Sequence, residues 1–320
     1  MTTPVLVLAG ASGFIGTRLV EAAKAAGYEV RRLVRSAPER AGDYQWDPAS
    51  GTIDTSVFDC AYGVICLNGA GLFSRPWTAS YKRVLWDSRI DSVCTIADSL
   101  AARAQREGAD ALPQVFIAGS AVGFYGSGRP DTDGTVTRSA YAILTESSPN
   151  GTGFLAELCM AWESEANRVA DLGIRTVNAR TGLVMGQSGG MLAILQHPYR
   201  IGLGARLGDG ENWMPTIARD DYVRALLCIL REPDLSGPVN MTSPDPVPNK
   251  VWHRALADHF RRPGFLAVPE LPMRITLGDF ANEAVLASQR VMPQKLLDHG
   301  FRFIAPTVPE IFSHEIPVPK

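Results

Sequence analysis

Cysteine is scarce in this sequence, and long apolar runs are missing. The chain of 320 residues holds five cysteines, which are scattered and form no Cys-x-x-Cys pair. Disulfide frameworks and zinc sites need paired or clustered ligands, so we expect reduced core cysteines. No run approaches the roughly 18 apolar residues that a membrane-spanning helix needs, and no leader segment opens the sequence. These absences predict a cytoplasmic protein that does not enter a membrane.

An excess of charge of either sign is also missing. The sequence carries 31 basic and 33 acidic residues, which leaves a formal net charge of −2. Such a balance creates no field that would attract nucleic acid or an anionic membrane. The five histidines share no spacing that suits a metal ion, so we predict no metal site. A small-molecule substrate is the expected partner, and a homodimer is left open.

Strand and helix patterns alternate along the chain. Apolar, β-branched runs predict strands over 5–9, 28–34, 63–67, 115–118 and 174–179, with helical periodicity between them. This alternation predicts an α/β fold with a Rossmann-type, doubly wound parallel sheet. We expect residues 1–185 to form this domain, with 217–242 returning to it. Residues 186–216 and 243–320 would form a smaller C-terminal substrate or partner lobe.

Two stretches favour loops. Residues 182–210 are rich in glycine and show little periodicity, and residues 126–149 are polar and rich in turn residues. We expect the first stretch to form loops around a cleft and the second to form a loop beside it.

A glycine-rich turn follows the first predicted strand. Gly10, Gly13 and Gly16 stand in a Gly-x-x-Gly-x-x-Gly spacing between strand and helix. The first glycine permits a tight turn, the second lets a pyrophosphate approach the backbone, and the third lets helix and strand pack closely. Amide groups at the helix start then face the phosphates. The turn predicts a dinucleotide site made of Gly10, Ser12, Gly13, Phe14, Ile15 and Gly16.

The end of the second predicted strand distinguishes NAD from NADP. A carboxylate there would bind the ribose hydroxyls and repel a 2′-phosphate, but residues 30–36 contain no acid. Arg35 and Ser36 can hold that phosphate by charge and by hydroxyl, whereas Arg31 or Arg32 can be solvated strand residues. We therefore predict NADP(H) as the cofactor.

Further segments spread from about residue 4 to residue 313 carry a resemblance to a known family. They are Gln45–Pro48, Leu67–Gly71, Arg75–Trp77, Asp87–Arg89, Gly119–Gly126, Phe154–Glu157, Gly202–Gly204, Gly237–Asn240 and Gln289–Pro293. With the glycine spacing, they resemble the extended short-chain dehydrogenase/reductase superfamily. More narrowly, the chain looks like an epimerase-like family with a small C-terminal domain of unknown function, some members of which are labelled cell-division inhibitors. The resemblance implies that Asn68, Gly69 and Ala70 join the cofactor site.

The chemistry of this superfamily depends on a tyrosine made acidic by a lysine four residues later, together with a serine that polarises the substrate oxygen. Ser120 matches the serine at the end of a predicted strand. Phe154 and Leu158 stand where the pair is expected, and no tyrosine in the chain has a lysine four residues on. The catalytic pair is therefore absent, as the resemblance implies for the narrower family.

Several side chains are candidates to take over from the missing pair. Tyr125 lies close to Ser120 in the sequence, and Glu157 is one residue from the lost lysine position. Either can instead be a packing or solvated residue. Tyr141 lies in the polar loop. Arg180, after a later strand, either lines the nicotinamide end or forms a structural pair.

Two departures from relatives concern the substrate region. Ala218 stands where relatives typically carry histidine, and residues 127–140 look longer than the corresponding loop. Both changes suggest a specialised ligand. Trp77 and Trp213 either pack in the core or line the pocket as an aromatic wall.

Three functions follow from these observations. The first is an NADP(H)-dependent oxidoreductase of reductase or epimerase type, acting on a small carbonyl or hydroxyl substrate through Ser120 and Tyr125. The alternative is a non-catalytic NADP(H)-binding sensor or a partner protein related to cell division. Nucleotide-sugar epimerisation with tightly held NAD is weaker, because it needs the acid and the tyrosine that this sequence lacks.

Overall fold

The computed structural model describes residues 3–128 and 142–316 of the chain. The strands are β1 Val5–Ala9, β2 Glu29–Val34, β3 Asp43–Asp47, β4 Thr52–Ile53, β5 Ala61–Cys66, β6 Val115–Ala121, β7 Ile143–Leu144, β8 Arg175–Thr181, β9 Leu183–Met185, β10 Ala205–Leu207, β11 Trp213–Met214, β12 Thr216–Ala218, β13 Gly237–Met241, β14 Val247–Pro248, β15 Leu266–Val268 and β16 Arg290–Val291. The helices are α1 Phe14–Ala25, α2 Ala79–Glu107, α3 Phe154–Asn167, α4 Gly190–Arg200, α5 Arg219–Arg231, α6 Asn249–His259, α7 Glu270–Leu277, α8 Gln294–Asp298 and α9 Val308–Glu315.

One sheet of eight strands organises the fold, in the order β13-β8-β6-β5-β1-β2-β3-β4. The central strands β6, β5, β1, β2 and β3 pair in parallel. The chain builds outward from β1 to β2 and β3 on one side, and to β5 and β6 on the other. Ligands of such sheets bind at the carboxyl ends of the strands, where the strand order reverses. The predicted doubly wound Rossmann-type fold is confirmed.

The chain forms two compact units. The first lies within Met1–Ser120, Met160–Ala179 and Leu226–Val239, and the second within Ala121–Cys159, Arg180–Ala225 and Asn240–Lys320. The predicted domain boundary at residue 185 stays a prediction.

The core of the first unit lies against the parallel sheet. Val93, Ile96 and Leu100 on α2 are fully buried, at the three- and four-residue spacing of one helix face. They pack in one cluster with fully buried sheet residues such as Val64 and Phe116. Burial of each large side chain stabilises the fold by about 2 kcal/mol and holds α2 against the sheet. Other residues of α2 contact the turn after β5.

The second unit contains a helix that the sequence analysis did not predict. Residues 182–210 were expected to form loops, but α4 occupies Gly190–Arg200. Its glycines lie at the helix ends, and Leu192 and Tyr199 are buried in a cluster with Trp252 and Phe312. Tertiary packing therefore stabilises a helix whose sequence pattern is weak.

No helix among the described residues is long and apolar enough to cross a membrane. The five cysteines are free thiols, and burial raises the pKa of the Cys66 thiol to about 12.

Candidate functional site

The glycine turn between β1 and α1 shows why each glycine is needed. Gly10 has a φ of +87°, and a Cβ on Gly16 would lie 2.0 Å from the Gly10 carbonyl oxygen. These two positions are therefore fixed by the backbone itself. A Cβ on Gly13 would meet only that oxygen within 4 Å, at 3.3 Å, among the described residues. Internal packing does not explain Gly13, whereas close approach of a ligand to the backbone does.

The start of α1 suits an anion. Gly13 is the N-cap residue and supplies no side-chain hydrogen bond, and the first turn of the helix contains no acidic residue. The amide groups and the positive end of the helix dipole are therefore not neutralised by a carboxylate of this turn. Ser12 and Gly13 are exposed, and Phe14 and Ile15 are half-buried. The residues present fit a pyrophosphate group.

The arginines at the end of β2 divide into two kinds. Arg31 donates to the carbonyl oxygens of Val57 at 3.1 Å and Asp59 at 2.8 Å, and Arg32 forms an ion pair with Asp43. Both are structural, which corrects the expectation of simple solvated residues. Arg35 and Ser36 are exposed. The exposed guanidinium of Arg35 is therefore accessible to a phosphate.

The turn after β5 lies against the glycine turn. A Cβ on Gly10 would be 3.0 Å from the Asn68 amide nitrogen. The Asn68 side chain accepts from Cys66 Sγ at 3.1 Å and donates to Ser92 on α2. Ala70 N donates to Ser88 Oγ at 2.9 Å. Asn68, Gly69 and Ala70 therefore follow the neighbouring strand at the same edge of the sheet as Gly10.

Ser120 is a buried residue at the end of β6. It is 3% exposed, and its Oγ donates to Oε1 of Glu163 on α3 at 2.7 Å. A hydroxyl has a single hydrogen, so in this arrangement Ser120 offers only lone pairs to any other group. Glu163 was not among the residues predicted for the site. Its place nine residues after Phe154, next to Trp162, gave no periodic signal that separates it from a solvated glutamate.

The first turns of α3 hold no acid–base pair. Phe154 is half-buried, Leu158 is 2% exposed, and Glu157 is exposed to solvent. The Leu155 amide donates to Oε2 of Glu283 at 2.8 Å, so a carboxylate occupies the start of this helix. An apolar, buried side chain thus stands where the superfamily's lysine is expected.

Tyr125 lies in the interior of the second unit. It is 1% exposed, and its hydroxyl lies 2.7 Å from Oδ1 of Asn240 and 2.9 Å from the Thr145 carbonyl oxygen, both acceptors. Nη1 of Arg180 donates to the same hydroxyl at 3.0 Å. Burial raises the pKa of Tyr125, and the nearby Arg180 opposes this rise. The tyrosine is part of a hydrogen-bonded interior, and its catalytic role stays a prediction.

Arg180 is buried with Tyr125. It is 4% exposed, and its guanidinium carbon lies 3.4 Å from the centre of the Phe124 ring. Oε1 of the buried Glu146 accepts from the amides of Asn240 at 3.0 Å and Lys295 at 3.2 Å. Burial lowers the pKa of Lys295. These contacts favour the structural pairing of the two roles considered for Arg180, and its contact with a cofactor stays a prediction.

The remaining sequence candidates have separate surroundings. Trp77 donates from Nε1 to the Leu72 carbonyl oxygen at 3.0 Å, and the Trp213 ring lies 4.3 Å from the Arg290 guanidinium carbon. Ala218 is fully buried in β12. Tyr141 and most of the stretch 127–140 lie outside the described residues.

Three potential metal ligands do come together in the second unit. Ligand atoms of Asp220, His314 and Glu315 lie within 4.8 Å of one another. His314 pairs with Asp220 at 3.1 Å, and the Asp220 amide donates to Glu315 at 3.1 Å. The sequence separation of about 95 residues hid this grouping, in which helix ends are joined by their own hydrogen bonds.

Comparison with known families identifies the chain. The model of the NAD-dependent epimerase/dehydratase family matches residues 6–241, and that of a domain of unknown function, DUF1731, matches residues 268–315. The protein belongs to the NAD-dependent epimerase/dehydratase family. The predicted resemblance to an epimerase-like family with a small C-terminal domain is thereby confirmed.

Relatives of this epimerase family protein match over most of their length. An epimerase family protein of Mycobacterium bovis is 37% identical over 314 residues, 98% of each chain. A chloroplastic homolog of epimerase family protein SDR39U1 from Arabidopsis thaliana is 31% identical over 299 residues, 92% of this chain and 81% of that one.

Solved structures share the fold. The human epimerase family protein SDR39U1, crystallised with NADPH, superposes with a TM-score of 0.82 at 24% identity, covering 97% of this chain and 98% of that one. A nucleoside-diphosphate sugar epimerase of Corynebacterium glutamicum gives 0.77 at 29% identity, covering 98% of this chain and 58% of that one. The epimerase family fold of this chain is therefore secure, whereas its substrate is not defined by these likenesses.

Proposed function

We propose that this epimerase family protein binds NADP(H) and uses it to reduce or oxidise a small carbonyl or hydroxyl substrate. The observation that carries the proposal is the pairing of an open Gly13 backbone with the exposed Arg35 guanidinium. A pyrophosphate fits the first and a 2′-phosphate fits the second. The NADPH bound to the human family member supports the same cofactor.

NADP(H) is favoured over NAD(H) by what the end of β2 offers. Arg31 donates to the Asp59 backbone carbonyl oxygen and Arg32 forms an ion pair with Asp43, whereas Arg35 is exposed and accessible to a phosphate. Residues 30–36 supply no carboxylate that would hold a ribose diol and repel a phosphate. A planar guanidinium and the Ser36 hydroxyl suit a phosphate dianion.

The chain's own residues have limited means of acid–base catalysis. NADPH held by the Gly13 backbone and Arg35 would supply the hydride for a reduction. Ser120 contacts the substrate oxygen in the proposed reaction, which requires its hydrogen to turn away from Glu163. The Tyr125 hydroxyl already has two acceptors and one donor. We therefore assign the proton to solvent water, with Tyr125 holding the second unit's interior in place.

Arg35→Asp tests the cofactor assignment. Charge reversal at the 2′-phosphate should weaken NADPH binding by roughly 100-fold, because a charged hydrogen bond is lost and a repulsion is gained. NADH binding should change little. Titration of each nucleotide, followed by fluorescence, measures both. Arg83→Asp, a reversal at an exposed arginine of α2, is the matched control. An unchanged preference in Arg35→Asp contradicts the assignment.

A second candidate is NADP(H) binding without catalysis. It is favoured by Phe154 and the buried Leu158 at the catalytic pair's positions, and by the engaged Tyr125 hydroxyl. A panel of small carbonyl compounds separates the two, since an oxidoreductase consumes NADPH with at least one of them. Ser120→Ala should lose that turnover and keep NADPH affinity. Binding of NADPH with no consumption across a broad panel would favour the sensor.

A further inference from the structure

Three polar residues of α2 hold the turn that follows β5. Ser88 accepts from the Ala70 amide at 2.9 Å, and Ser92 accepts from the Asn68 side chain. Arg89 donates from Nη2 to the Ala70 carbonyl oxygen at 3.0 Å. Both backbone groups of Ala70 are therefore bonded to adjacent residues of one helix. Such a turn keeps its place without help from a ligand.

Arg89 makes the largest set of these contacts. Its Nη1 donates to the Leu85 carbonyl oxygen at 2.9 Å, and its guanidinium carbon lies 5.4 Å from the centre of the Trp162 ring. A Cβ on Gly69 would lie 3.0 Å from that guanidinium carbon. The glycine thus lets the turn lie directly on the planar group. Arg89 is half-buried, so these contacts are partly shielded from water.

Trp162 extends this arrangement to the next strand. A Cβ on Gly119, in β6, would lie 2.8 Å from the Trp162 ring. The indole therefore fills the space beside β6 on one side and contacts the Arg89 guanidinium. One arginine thus joins the turn after β5 to the tryptophan that packs on β6.

The strand order relates this turn to the proposed cofactor. β2, which ends near Arg35, lies on one side of β1, and β5 lies on the other. A dinucleotide whose pyrophosphate rests on the glycine turn and whose 2′-phosphate reaches Arg35 must extend its other half toward β5. That half carries the nicotinamide. The Gly69–Ala70 backbone is then the part of the chain beside the nicotinamide riboside.

We propose that Arg89 is a positioning residue for the nicotinamide half of the cofactor. Arg89 acts through the Gly69–Ala70 backbone, which it holds in place by its contacts with both residues. The inference rests on the proposed binding of NADP(H). Lysine cannot replace it, because an ammonium has no planar fork to bond two carbonyl oxygens and stack on an indole. Ser88 contributes the second, weaker bond to the same turn.

Two ligands of different length test this role. NADPH contains both halves of the cofactor, whereas adenosine 2′,5′-bisphosphate contains only the adenosine half that Arg35 would bind. Dissociation constants for both are measured by calorimetry for the wild-type chain, Arg89→Lys, Ser88→Ala and the control Arg83→Ala. Arg83 lies exposed on the same helix. Thermal unfolding of each variant reports the state of the fold.

Arg89→Lys should weaken NADPH binding roughly tenfold, the loss of one charged hydrogen bond, while binding of the bisphosphate changes less than about twofold. Ser88→Ala should show the same selectivity with a smaller loss, and Arg83→Ala should show none. Unchanged NADPH affinity in both variants, or an equal loss for both ligands, overturns the role of Arg89. A wild-type chain that binds neither ligand would instead remove the proposed function itself.

Discussion

Polar groups are exposed at the glycine turn, whereas they are buried in the interior around Tyr125. At the turn, Ser12, Gly13 and Arg35 are exposed, and the N-cap residue of α1 is a glycine, which has no side chain to bond the helix start. Around Tyr125, the buried Arg180 guanidinium donates to the tyrosine hydroxyl, and the buried Glu146 carboxyl group accepts from the amides of Asn240 and Lys295. The first region exposes its polar groups to a ligand, whereas the second bonds most of its polar groups to other groups of the protein.

This difference shows which half of the superfamily's site the chain retains. The turn keeps every feature that a dinucleotide needs, from the open Gly13 to the exposed guanidinium. At the positions of the catalytic pair, Phe154 and Leu158 provide no titratable group. The residues proposed for cofactor binding and those of the catalytic pair are thus separate, and the chain has the first set without the second.

The largest effect is expected where the missing lysine is restored. Leu158→Lys places an ammonium at a position that is 2% exposed, so the free energy of unfolding should fall by about 3–5 kcal/mol. Chemical denaturation measures the loss. Glu157→Gln, at the exposed neighbour, should change stability by less than about 1 kcal/mol, because the side chain stays in water and only its interaction with the helix dipole is lost. A stable Phe154→Tyr, Leu158→Lys double variant would contradict this prediction. New reductase activity in that variant would show that the rest of the superfamily's catalytic site is still in place.

Two glycines of one turn should separate stability from binding. Gly16→Ala forces a methyl group against the Gly10 carbonyl oxygen, which should cost about 2–3 kcal/mol of unfolding free energy. Gly13→Ala should leave the melting temperature nearly unchanged and weaken NADPH binding by roughly tenfold or more, because its methyl group enters the ligand's space. Thermal unfolding and NADPH titration on both variants provide the comparison. Equal losses of stability would contradict the assignment of Gly13 to the ligand.

The smallest effect concerns the titration of Tyr125. In the unfolded chain this tyrosine ionises near its ordinary pKa of about 10, whereas burial raises the pKa in the folded protein. Its contribution to stability is therefore complete below pH 10 and is lost as the pH rises through the folded pKa, by at most about 1.4 kcal/mol per pH unit. Arg180, Glu146 and Asn240 face the hydroxyl.

Tyr125→Phe should reduce this alkaline loss, measured by urea denaturation between pH 8 and pH 11. Burial also raises the pKa of Tyr199 and that of Tyr222, the latter to about 12. These two tyrosines account for the alkaline loss of stability that remains in the variant. A loss of stability in the variant identical to that of the wild type would show that the Tyr125 hydroxyl titrates like an exposed one. That result would support Tyr125 as the proton donor of the reaction.

Much of the nucleotide-binding half was predictable from the sequence because its signals are local. The spacing of Gly10, Gly13 and Gly16 and the absence of acid after β2 can be read within about 30 consecutive residues. The partners of Ser120 and Tyr125 could not be predicted in this way. Glu163 and Asn240 lie 43 and 115 residues away, and hydrogen bonds over such distances leave no periodic pattern.

The sequence by itself determined the alternation of strands and helices, the glycine turn, the basic end of β2 and the loss of the tyrosine–lysine pair. Each depends on residue types at fixed short spacings, where backbone sterics and charge act directly. Only the tertiary structure decided that Arg31 and Arg32 are engaged while Arg35 is exposed, that α4 forms, and that Arg89 holds the turn after β5. These outcomes depend on which distant groups burial brings within hydrogen-bonding distance, and a linear pattern does not contain that information.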